Sequence, residues 1–315
     1  MIRRRYLCGA LVGVIVTAAA LSAGSARSAS PAHTSSKLAK PSVMRVFKGK
    51  TSRRHGGGSN LYYHGGVGGI GVETAPKVYV VYWGSQWSSD PSGEKTIVEN
   101  FLNHVGNSSW LNSVTQYCQG IANGSSTCGA GGHAGNPAGI LGGTWSDNGS
   151  AAPQHPTQSQ LAGEAANAAA HFAPTPNYTV QFVIATAHNN NAVGFGTQYC
   201  AWHSSTSSSY GNLAYTNLPY ITDAGASCGA NFNNLGPNAG ITIVEGHEMA
   251  ETITDQFPNG GWLDGSGGEN GDKCAWISSG QGASANVTMN GASFPVQSLW
   301  SNAFNGGAGG CVLSY

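Results

Sequence analysis

Six cysteines stand beyond the first hundred residues, Cys118, Cys128, Cys200, Cys228, Cys274 and Cys311, and they constrain the fold of this chain more than any other feature. An even set in an exported protein reads as a disulfide framework, which dictates the segments that must lie side by side. Six cysteines allow fifteen pairings. Their grouping into three sequential pairs, each flanking a short segment, favours Cys118–Cys128, Cys200–Cys228 and Cys274–Cys311. A zinc–cysteine site would be the other use of such residues, but no C-x-x-C spacing occurs.

Export is read from the N-terminus. Arg3, Arg4 and Arg5 precede an apolar run from Leu7 to Leu21, and the small residues Ala23, Ser25, Ala26, Ser28 and Ala29 follow. This is the pattern of a signal peptide over residues 1–29, which carries Cys8 away with it. The run is shorter than the roughly 20 residues of a bilayer-spanning helix, and no later run reaches that length. A secreted, extracellular protein without a membrane partner is expected.

Charge is divided along the chain. Eleven of the fourteen Lys and Arg lie at or before Arg54, and all fourteen Asp and Glu lie at or after Glu73. From residue 55 onward three bases face fourteen acids. Such a body repels nucleic acid and anionic membranes and attracts cations. Residues 30–57, basic and polar, read as a disordered pro-segment or linker. Residues 58–315 then form a single globular domain.

Within that domain, residues 78–83 read as a buried strand and 92–105 as a helix, with a short second helix at 109–117. An alanine-rich helix is expected at 157–172 and the clearest strand at 178–187. Segments 195–202 and 213–221 read as antiparallel edge strands or loop crossings. Residues 239–255 read as a helix whose stripe of Ile243, Gly246, Ala250, Ile253 and Phe257 faces the core. Short strands are expected near Val287 and Phe294. With 47 glycines the remainder is rich in turns. The expected fold is α/β or α+β: a mixed sheet with packed helices, disulfide-stapled, loop-rich and zincin-like.

The chemistry is concentrated between Glu245 and Asp272. Seven of the fourteen carboxylates fall there (Glu245, Glu248, Glu251, Asp255, Asp264, Glu269 and Asp272), with His247 among them and no Lys or Arg before Lys273. Crowded carboxylates raise one another's pKa unless a cation sits among them. His247 and Glu251, four apart on a helix, project from one face and can bind a single ion. Glu248 then stands where it can deprotonate a metal-bound water. This is H-E-x-x-E, the zincin H-E-x-x-H arrangement with a carboxylate as second ligand. Asp255 extends the same face. Glu269 or Asp272 is expected to complete the metal site, with Asp264 also near.

The competing reading is a solvated helix face with a packed histidine. Calcium in a separate loop of Glu269, Asn270 and Asp272 is the alternative to zinc, and the imidazole of His247 speaks against it. His203 is a further candidate to reach the site from a loop, whereas His64 and His188 read as structural or surface residues. No G-x-S-x-G elbow occurs, no Ser-His-Asp triad can be assembled by spacing, and no nucleotide-binding glycine motif follows a strand.

The runs LYYHGG (61–66) and VYVVYWGSQW (78–87), TITDQFPNGGW (252–262) and the closing NGASFPVQSLW (290–300) with Cys311 resemble the phosphate-induced, exordium-like family of extracellular proteins. The likeness touches most of residues 60–315. It implies an extracellular, wall-associated protein. The H-E-x-x-E segment points to a bacterial-type, zincin-like branch of that family. Two functions are therefore expected as alternatives. The first is a secreted zinc-dependent peptidase acting on protein or peptide substrates. The second is a non-enzymatic wall- or glycan-associated protein with a structural calcium site.

Overall fold

Six segments pair into one mixed sheet: β1 (Ser42–Arg45), β2 (Lys77–Trp83), β3 (Leu141–Asp147), β4 (Val180–Thr186), β5 (Tyr199–Ser208) and β6 (Gly211–Leu218), in the order β1-β5-β6-β4-β2-β3. The computed structural model describes residues 38–49, 60–174 and 179–315. The signal peptide read at 1–29 lies outside them, as do residues 30–37 and 50–57 of the basic segment.

Helices α1 (Glu94–Val105) and α2 (Gln158–Phe172) make the crossovers from β2 to β3 and from β3 to β4, and both strands pair with β2 in parallel. β6 joins β4 in parallel and closes an antiparallel hairpin with β5. α2 starts on a capping box, in which Thr157 and Gln160 satisfy each other's backbone N–H groups. It packs Leu161, Ala165 and Ala168 against Val81, Phe182, Ile184 and Tyr215 on one face of the sheet. The opposite face, with Val78, Val80, Tyr82 and Val183, is covered by α1 and by α3 (Ala239–Thr254). The result is three layers, helix on sheet on helix.

Every residue of α3 is buried. The expected stripe of Ile243, Ala250 and Ile253 is thus one part of a helix enclosed all round, and the solvated-face reading falls. One side meets the sheet, while Gly246 lies against Phe101 and Trp110. Thr242 donates a hydrogen bond of 2.5 Å to the carbonyl of Pro295, in the hairpin of strands Ala285–Met289 and Ala292–Val296. At the start of α3 a Cβ on Gly240 would sit 1.9 Å from the Cys228 carbonyl oxygen, so only glycine lets the helix approach that loop.

Two expectations are corrected. The strands near 195–202 and 213–221 run from Tyr199 to Ser208 and from Gly211 to Leu218 and lie inside the sheet, because β1 takes the edge beside β5. Within residues 38–49, expected to be disordered, Ser42–Arg45 form that edge strand. Alternation explains it: Lys40, Arg45 and Lys48 are exposed, whereas Met44 and Val46 are buried and Phe47 packs edge-on against Phe232 with ring centroids 5.1 Å apart. Trp276 fastens the segment by donating its indole N–H to the Arg45 carbonyl at 2.7 Å.

The three sequential disulfides form, with Cα–Cα distances of 5.9, 5.4 and 5.6 Å. Cys200–Cys228 ties β5 to the loop ahead of α3, and Cys274–Cys311 ties the turn after Asp272 to the C-terminal strand. Among the described residues, no helix is long and apolar enough to cross a membrane.

Candidate metal centre

The i, i+4 spacing on α3 brings His247 Nε2 to 3.1 Å from Glu251 Oε1. The loop after Gly268 returns over this pair. Asp272, opening a 3-10 turn (Asp272–Cys274), puts Oδ1 3.8 Å from His247 Nε2, and its backbone N–H donates to Glu251 Oε1 at 2.7 Å. His247, Glu251 and Asp272 each offer a ligand atom, and the three atoms lie within 4.8 Å of one another.

Gln297 orients the histidine. Its amide nitrogen donates to the Gly271 carbonyl at 2.8 Å, so its Oε1, 3.2 Å from His247 Nδ1, accepts the proton there. That leaves Nε2, which has no hydrogen-bond partner, aimed at the carboxylates. Metal-binding histidines are held in this manner through their second nitrogen. Gln297 was missed in the sequence. Its only signal was its place in the closing run NGASFPVQSLW.

A second group adjoins the first. His203 reaches in from β5, a strand where a loop was expected, with Nε2 3.2 Å from Glu269 Oε2 and 3.6 Å from Glu251 Oε2. Glu248 belongs here: it, His203 and Glu251 also present ligand atoms within 4.8 Å of one another. Glu269 is therefore turned to His203 and Asp272 to His247. Ser42 of β1 donates its hydroxyl to Glu269 Oε2.

Two other carboxylates have structural partners. Asp255 accepts from the backbone N–H groups of Asn259, Gly260 and Gly261 and so closes the turn after α3. Asp264, a neighbouring candidate in the sequence, pairs instead with Lys273 at 2.8 Å and accepts from the backbone of Ser266 and Gly268. Of the weaker histidines, His188 pairs with Asp223 near the surface and His64 is exposed.

The electrostatics are extreme. His203, His247, Glu248, Glu251 and Glu269 are wholly buried, and only Asp272, with 30 % of its side chain exposed, reaches the surface. Among the described residues no lysine or arginine pairs with these carboxylates; Lys273 is spent on Asp264. Burial drives the carboxyl of Glu248 up to about 8 and that of Asp272 up to about 7. Burial and the Glu251 charge push Glu269 well above its usual range. Glu245, with both oxygens unpartnered, is raised well above it by burial and by Glu248. Burial works against a charged His247, yet Glu251 beside it prevails and lifts the imidazole to about 10. Burial likewise opposes ionised Glu251, but the two histidines hold its carboxyl well below normal. Without a cation the cluster must therefore retain protons; with one, the ligands release them.

No family model, curated protein or solved structure matches the chain.

Proposed function

We propose that this chain is an exported zinc-dependent peptidase, related to the exordium-like proteins it resembles and zincin-like in its H-E-x-x-E segment. The observation that carries the reading is the convergence of His247 Nε2, Glu251 and Asp272 in a core where, among the described residues, no lysine or arginine offsets their charge. One imidazole and two carboxylates suit catalytic zinc, whereas calcium takes six or more oxygens and no imidazole. Glu269 and Asp272 face different histidines, which counts against a calcium loop and against the wall-protein alternative built on it. When bound, zinc would polarise a scissile carbonyl and acidify the attacking water. Gln297 fixes the tautomer of His247. Glu248, both of whose oxygens are unpartnered, would lose its proton when the cation binds and is then placed to take the proton of the water.

Three disulfides and the leader-like N-terminus support export. A peptide substrate is supported by β1 itself, an extended segment lying antiparallel to β5 with Ser42 opposite His203. A bound peptide would adopt a similar extended pose.

Zinc analysis and casein hydrolysis test the reading. His247→Ala is expected to abolish hydrolysis and lower zinc content. Glu248→Gln is expected to keep the zinc at His247 and lose roughly 10²- to 10⁴-fold in rate. A wild-type protein that takes up no zinc and cleaves nothing after processing leaves the wall-protein alternative in its place.

A further inference from the structure

We infer that the same face of α3 holds a second zinc-type divalent ion on His203, Glu248 and Glu251, so that Glu251 bridges two ions through its two oxygens. The inference rests on the metal reading above and extends it. Its first ground is the division of Glu251: Oε1 is turned to His247 and the Asp272 backbone, while Oε2 is turned to His203 and has no hydrogen-bond partner. Two sets of three ligands, His247–Glu251–Asp272 and His203–Glu248–Glu251, therefore share one carboxylate. A carboxylate shared in this way is the usual bridge of two-metal hydrolytic sites, whose ions stand about 3.5–4 Å apart.

The second ground is independent of spacing. Both oxygens of Glu248, Oε2 of Glu251 and Oε1 of Glu269 are buried and have no hydrogen-bond partner. Buried polar atoms are almost always paired, and an unpaired buried carboxylate oxygen is costly. One ion at the His247 set leaves Glu248 and Glu269 unserved, because they face His203. A second ion there supplies the missing partner for Glu248 and for Oε2 of Glu251. Glu269, 3.2 Å from His203, lies within reach as a further ligand. Glu248 needs only one oxygen for the ion and keeps the other for the proton.

His203 decides the class of ion. An imidazole beside carboxylates suits zinc and its neighbours and speaks against calcium or magnesium. The Nε2 of His203 faces carboxylates alone, Glu269 Oε2 at 3.2 Å and Glu251 Oε2 at 3.6 Å.

Zinc stoichiometry tests the inference on the full chain, by metal analysis after dialysis against limiting free zinc. The expected result is two zinc ions per chain, falling to one in His203→Ala, one in His247→Ala and none in the double variant. Glu248→Gln is expected to lose the His203 ion alone. Near-ultraviolet circular dichroism and the intact disulfide map identify variants that have folded, and the wild-type count requires no variant. One zinc per chain in the wild type, lost in His247→Ala and unchanged in His203→Ala, overturns the second site and leaves the peptidase reading standing. No zinc in any protein overturns both.

Discussion

Gly271→Ala separates the geometry of the metal centre from the identity of its ligands. Gly271 has φ −77° and ψ −47°, values open to any residue, so an added methyl costs nothing through the backbone. Its cost arises where it lands: 2.8 Å from His247 Nδ1, 2.9 Å from Glu251 Oε1 and 3.0 Å from His247 Cε1. Ordinary contact begins near 3.4 Å, so these approaches are 0.6, 0.5 and 0.4 Å too close. Metal–ligand distances tolerate about 0.2 Å. Both ligands on α3 are enclosed by neighbours and have little room to retreat, and the return loop is held by Gln297 and by Cys274–Cys311. Disturbing a group just behind the ligands typically costs about 10- to 100-fold in metal affinity, or about 1.4–2.8 kcal/mol. A loss in that range is expected from zinc titration of the variant against a chromophoric chelator. Gly163→Ala in α2, where an added methyl meets nothing within 4 Å, is the control and should bind as the wild type does. Wild-type zinc affinity in folded Gly271→Ala would refute the placement of the return loop over His247 and Glu251.

Gln297→Leu keeps the bulk of the side chain but removes the acceptor for His247 Nδ1–H; zinc affinity should fall about 10-fold or more, and an unchanged affinity in the same titration would deny the orienting role. Metal-free protein should lose stability as pH rises. Burial holds the protons of Glu248 and Glu73 to about pH 8 and also pushes Glu245 and Glu269 well above the ordinary carboxyl range, while unfolded carboxyls release theirs near 4.5. From about pH 4.5 through 8 the folded chain thus binds more protons than the unfolded one, and each such proton costs about 1.4 kcal/mol of stability per pH unit. Glu251, held low, has the opposite sign and matters only in strong acid. Calorimetry of chelator-treated protein should show a melting temperature that declines from pH 5 to 9, with zinc flattening the slope; a rising melting temperature would contradict the buried cluster.

What could be read in the sequence was local. The disulfide pairs followed from order along the chain, β2 and β4 from largely apolar runs, and α3 from its helically spaced apolar stripe. His247, Glu248 and Glu251 followed from helical spacing. What escaped depended on contacts distant in sequence. β5 carries His203 inside Tyr-Cys-Ala-Trp-His-Ser-Ser-Thr-Ser-Ser, whose polar half imitates a loop until β1 and β6 pair with it. The alternation in Ser42–Phe47 was hidden by its surrounding basic residues. Asp264 and Asp272 were equivalent by composition, and Lys273 distinguishes them by pairing with the first.

The sheet obtains its outermost strand beyond β5 from the earliest described stretch of the chain. In any preparation that starts at residue 60, the edge of β5 along Tyr199–His203 would lose its pairing partner, and the seat of the wholly buried Met44 would be vacated. Open strand edges recruit other strands, including those of identical molecules. Solubility and storage of trimmed protein would then be governed by whatever next pairs with β5.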